Sequence, residues 1–125
     1  MWDIKPWGND GAADWYGDVM DATNLRKHWL VGITSDPIES PDVVRAAAGL
    51  FVMLGRVYIW PINSYDEDLE LAINQLQKII EGGEYEELPE LVSLIEMEIA
   101  ELESRRKPKG ANSKPSTSNP WWKFW

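Results

Sequence analysis

Asp10, Asp14, Asp18 and Asp21 fall at i, i+4, i+8 and i+11. On a helix turning about 100° per residue they form one acidic stripe. A row of carboxylates can hold a hard cation, supply acid–base pairs, or meet a basic protein surface. Like charges at i,i+4 also destabilise a helix, by roughly 0.2–0.5 kcal/mol a pair, so the row needs relief. Three reliefs are open. Solvent can screen the stripe, with Asp10 near the favourable positive end of the helix. Arg45 and Arg56 can pair with Asp14 and Asp18 across a helix contact. A cation or a basic partner can occupy it.

Other reactive residue types are sparse. Asp66, Asp68 and Glu70 begin like a calcium loop, but Leu71 stands where that loop needs glycine and Gln77 where it needs its bidentate glutamate. They read as acids in the first turn of a helix. His28 is the only histidine, set among Arg26, Lys27 and Trp29, and reads as a surface residue. With no cysteine there is no thiolate chemistry and no disulfide. No Gly-rich phosphate loop and no Ser-His-Asp arrangement is present. The expectation is a protein without a catalytic residue, metal site or cofactor, and not an enzyme.

A second candidate contact is aromatic. Trp121, Trp122, Phe124 and Trp125 close the chain as WWKFW, after the Pro-, Ser-, Asn- and Lys-rich stretch KPKGANSKPSTSNP. That stretch buries too little surface to offset its ordering entropy and reads as a flexible linker. Its aromatic end can dock in a partner's groove, touch an anionic membrane weakly, or fold back on its own domain. Trp15, Trp29 and Trp60 lie on apolar faces and read as core.

Charge narrows the partners. Residues 1–104 hold all 21 acidic residues and six of the twelve basic ones, which leaves that part at −15; Arg105 to Trp125 hold six basic residues and no acid, at +6. So acidic a body repels phosphate backbones, which argues against nucleic acid and for a basic protein partner. At 44% hydrophobic and 26% charged, the composition is that of an ordinary globular protein. MWDIKPWGND has no apolar run of the signal-peptide kind. The uncharged run from Ala46 to Gly55 is about half what a bilayer needs. The expected location is cytoplasmic.

These residues need helices to position them. Asn9 or Asp10 can cap a first helix, with Ala12, Trp15 or Tyr16, Val19 and Met20 at helical spacing. Thr23 or Asn24 can cap a second, with Leu25, Trp29 and Ile33 inward and Arg26, Lys27 and His28 outward. Asp36-Pro37 marks a turn. Ser40, Pro41 and Asp42 then open the central apolar helix, expected over 41–60 and stopped by Pro61. RVYIW at its end has a strand as the alternative reading. Ser64 and Glu67 have capping-box spacing for a fourth helix. Its stripe is Leu69, Ile73, Leu76 and Ile80, and Gly82-Gly83 ends it. A fifth starts near Pro89 on Leu88, Val92, Ile95, Ile99 and Leu102, with Glu101–Arg105 and Glu103–Lys107 as i,i+4 pairs.

The opening residues Trp7, Gly8, Asn9, Asp10, Ala12, Asp14 and Trp15 resemble the start of the bacterial family catalogued as domain of unknown function 4259, which typically shows Trp-Gly, then Asn-Asp, a small residue, and Asp before Trp or Phe. An alanine-rich middle helix and an acidic helical second half are also similar. The family's longer glycine-containing turn between Trp-Gly and Asn-Asp is missing here, and Gly49 stands where it often has a glutamate. The resemblance implies a helical fold and bacterial or phage ancestry, and no activity.

The sequence therefore predicts an all-α domain over 1–106, about five helices around the central one, and a basic, aromatic-ended tail over 107–125. The expected function is non-enzymatic: an acidic interaction module of the immunity, inhibitor or adaptor type, meeting its partner through Asp10, Asp14, Asp18, Asp21 and the aromatic tail. The alternatives are a peripheral membrane protein held by that tail and a metal-dependent enzyme using the acidic stripe.

Overall fold

Pro6 and residues 10–107 are described by a computed structural model of the chain. They form five helices, α1 (Asp10–Thr23), α2 (Leu25–Ile33), α3 (Pro41–Leu54), α4 (Tyr65–Gly82) and α5 (Pro89–Glu103), with one 3-10 turn at Ile62–Ser64. Among the described residues there is no strand, so the domain is all-α. The tail beyond Lys107 lies outside them, as do Trp2 and Trp7.

The apolar spacings explain what is buried. In α4 the row Leu69, Ile73 and Leu76 turns inward, widened by Ala72 and Ile79. Ile95, Ile99 and Leu102 do the same in α5, and Val44, Ala47, Ala48 and Phe51 in α3. Each large side chain so buried contributes about 1.5–3 kcal/mol. α3 packs on α2, α4 and α5, and α4 in turn touches α2 and α5. The centre is therefore shared by α3 and α4. Trp29, Phe51, Trp60 and Tyr65 meet where these helices converge, with Trp29 and Phe51 both edge-on to Trp60 at 5.1 and 4.9 Å.

α3 stops at Leu54, six residues before the expected Trp60. A Cβ at Gly55 would lie 2.5 Å from the Phe51 carbonyl oxygen and 2.6 Å from its ring, so the Phe51 side chain occupies the space a larger residue would need. The chain then folds into a turn, in which the Arg56 carbonyl accepts from the N–H groups of both Ile59 and Trp60 at 2.9 Å. RVYIW is thus neither helix nor strand. It is the device that drops Trp60, 2% exposed, into the core.

The orphan carbonyls at the end of α3 are met from other elements. Arg105 donates through Nη2 to Val52 O at 2.9 Å and through Nη1 to Gly55 O at 3.1 Å and Phe51 O at 3.3 Å. The Tyr65 hydroxyl donates to Gly55 O at 2.9 Å, and Arg56 Nε to Met53 O at 3.2 Å. Cations at a helix C-terminus also suit its dipole. α2 ends in the same manner: Gln75 Nε2, from α4, donates to Ile33 O at 2.6 Å and Ser35 O at 3.0 Å.

Helix starts differ from expectation. Asn24, Ser40 and Ser64 precede α2, α3 and α4 without a side-chain cap. Asn24 instead takes the left-handed conformation, φ 51°, which asparagine tolerates. The Thr23 hydroxyl donates back to Val19 O at 2.7 Å. The turn at Asp36 forms as expected, its carboxylate accepting from the N–H of Ile38 at 2.8 Å. Gly83 closes α4 in the left-handed conformation, φ 74°.

Candidate partner-binding face

α1 sits at the edge of the bundle, and of the helices it packs only on α2. One contact buries one narrow strip. That strip carries Met20, with Tyr16 one turn before it against the core. Trp15 lies about 100° away from Tyr16 around the helix. Its indole is 62% exposed, edge-on to the Tyr16 ring at 5.4 Å. The expectation that Trp15 belongs to the core is therefore corrected, while Trp29 and Trp60 are buried as expected.

The four aspartates share the side turned from α2. Asp10, Asp14, Asp18 and Asp21 are all exposed. Trp15 precedes Asp18 by three residues, which makes the two side chains surface neighbours. The result is a continuous strip of carboxylates bordered by one large, bare aromatic ring.

The internal partners considered for this stripe are turned elsewhere. Arg45 makes a two-point ion pair with Glu98 of α5, Nη2 to Oε2 at 2.6 Å and Nε to Oε1 at 3.2 Å, and that carboxylate holds the guanidinium pKa above its ordinary value. Arg56 is among the least exposed charged residues and donates to the Met53 carbonyl. Burial, and then repulsion from Arg105, pushes its pKa down. Both arginines belong to α3 or the turn behind it, α3 does not pack on α1, and no ion pair among the described residues joins either of them to Asp14 or Asp18. Among the described residues the four aspartates make no ion pair.

The buried charge pair is one that the sequence reading placed on the outside. Asp68, 1% exposed, accepts from Arg26 Nε at 2.7 Å, from Arg26 Nη2 at 2.9 Å and from the Trp60 indole N–H at 2.7 Å. The hydrogen bond to Asp68 raises the Arg26 pKa. The available signal was spacing: Arg26 stands three residues before Trp29, on the edge of the inward face of α2.

A shallow cleft of about 340 Å³ is lined by Asp66, Leu69, Glu70, Arg106 and Lys107. Its charges meet one another, Arg106 with Glu70 at 2.6 and 2.8 Å and Lys107 with Asp66 at 3.6 Å. Glu103 meets Arg106 at 3.8 Å, in place of the expected Lys107, while Glu101 and Arg105 pair at 2.9 Å as expected. Burial raises the Glu101 pKa against the opposing pull of Arg105.

Among the described residues no three His, Cys, Asp or Glu side chains are grouped so as to hold a metal ion. No helix among them is long and apolar enough to cross a membrane. Trp121, Trp122, Phe124 and Trp125 lie outside the described residues. Set beside known proteins, the chain matches no protein-family model, no curated protein and no solved structure.

Proposed function

We propose that this protein is a non-enzymatic interaction module of the bacterial or phage cytoplasm, of the immunity, inhibitor or adaptor type, whose α1 face receives a basic protein partner. The carrying observation is the one face that combines Asp10, Asp14, Asp18 and Asp21 with the exposed Trp15 on a helix that the rest of the bundle touches from one side only. Carboxylates in a row attract lysines and arginines and speed encounter, and a bare indole offers a cation–π surface for the same residues at close range. Burial of that ring in the complex would give the contact its affinity. The resemblance to the domain of unknown function 4259 supplies the bacterial or phage ancestry. The aromatic end of the chain, Trp121 to Trp125, is the second contact in this reading.

The test is capture from a lysate of the source cells on immobilised full-length protein, with the Asp14→Lys/Asp18→Lys variant beside it. A basic protein retained by the wild type, released by moderate salt and lost from the variant is the expected result. Equal retention by both baits, or only acidic proteins retained, would contradict the proposal.

A further inference from the structure

Four exposed apolar side chains lie close together in the chain where α3 stops. Met53, Val57, Tyr58 and Ile62 are each more than half exposed. They fall within ten residues, and the turn hydrogen-bonded through the Arg56 carbonyl keeps the segment compact. Trp60 anchors that turn from beneath. Exposed apolar side chains that join into one patch mark an interaction site.

The chain leaves the described domain beside this patch. Arg105 grips Val52 O and Gly55 O at the end of α3, and Lys107, two residues on, meets Asp66, four residues after Ile62. Beyond Lys107 lie thirteen residues, Pro108 to Pro120, and then Trp121, Trp122, Lys123, Phe124 and Trp125. Thirteen residues reach up to about 43 Å. The whole of α3, at 14 residues, is only about 21 Å long. Tethered so close, the aromatic end is present at an effective concentration on the order of millimolar, so even weak affinity keeps it bound. Charge agrees: the segment brings Lys109, Lys114 and Lys123 with no acid, and the exposed Asp66 and Glu67 follow the patch at Ile62.

We propose that the chain's own aromatic end, Trp121 to Trp125, docks on the patch formed by Met53, Val57, Tyr58 and Ile62. The segment then covers that patch, and a partner or a lipid surface gains the aromatic end only by displacing it. This goes beyond the reading of α1 and does not depend on it, since no α1 residue takes part.

The chain has no cysteine, so Ser118→Cys gives one site for a nitroxide in the full-length protein. Methyl NMR then reads paramagnetic broadening at Met53, Val57 and Ile62, with Val31 on the outer face of α2 as the reference. The expected result is strong broadening at the three patch residues and little at Val31. It should disappear when Trp121, Trp122, Phe124 and Trp125 are all changed to serine, and also in Tyr58→Glu/Ile62→Lys. Broadening that is absent, that is equal at Val31, or that survives either variant overturns the proposal. So does broadening seen only when nitroxide and isotope are on different molecules, which would make a second copy the occupant.

Discussion

Arg26 of α2 and Asp68 of α4 are joined by two hydrogen bonds, at 2.7 and 2.9 Å, across 42 residues of chain. Their burial is unequal: the aspartate side chain is 2% exposed and the arginine 31%. The carboxylate is thus wholly dependent on protein donors, whereas the guanidinium keeps a path to water.

That asymmetry predicts unequal mutants. Arg26→Ala strands a buried carboxylate with only the Trp60 indole for company, and should cost about 3–5 kcal/mol in chemical denaturation. Asp68→Ala leaves an arginine that can hydrate and one orphaned indole N–H, and should cost about 1–3 kcal/mol. Equal costs, or the reverse order, would mean that the pair is more open to solvent than its geometry shows.

The end of α3 predicts opposite outcomes for two glycines in nearly the same stretch. Gly55→Ala drives a Cβ into the Phe51 carbonyl and ring and should destabilise by about 1–3 kcal/mol. At Gly49, within α3, an added Cβ meets nothing within 4 Å. There Gly49→Ala should stabilise by about 0.5–1 kcal/mol, since alanine is the better helix former. Thermal melts of the two variants against wild type decide both signs.

The Glu70–Arg106 pair predicts a small acid dependence. The hydrogen bond from Arg106 depresses the Glu70 pKa below the ordinary glutamate value. A carboxyl depressed on folding adds stability above its unfolded pKa, and that stability is lost as pH falls through the folded pKa. Both side chains are more than two-fifths exposed, so the effect on the melt should be slight. NMR titration of the Glu70 carboxyl should show its midpoint below the usual range, and Arg106→Gln should move it upward. An unmoved midpoint would mean that the pair does not persist in solution.

Helical period was enough to find five helices and most of their buried rows, because burial of one face repeats every three or four residues. Leu69, Ile73 and Leu76, or Ile95, Ile99 and Leu102, announce themselves in this way. The end of α3 was not legible, since the Phe51 ring fills the space beside Gly55 and the carbonyls there are met by Arg105 and Tyr65 from distant segments. The same holds for Arg26 and Asp68, which sit at polar edges of their helices and find each other only in three dimensions. Trp15 was misread because an apolar residue on a helix says nothing about how many neighbours that helix has. The acidic stripe was legible from spacing, and the structure adds that its four members are exposed together. Ser40 and Ser64 have the sequence of caps without the hydrogen bond, since capping residues state a preference that the local backbone can refuse.

If the α1 face serves a partner and not the fold, binding and stability must separate there. The most direct measurement takes the protein captured by the wild type and follows its affinity for Asp14→Lys/Asp18→Lys and for Trp15→Ser, alongside the thermal melt of each variant. Both should melt within about half a kcal/mol of wild type, as exposed substitutions do, while affinity falls at least tenfold, or about 1.4 kcal/mol. Variants that lose stability but bind their partner as well as wild type would contradict the account.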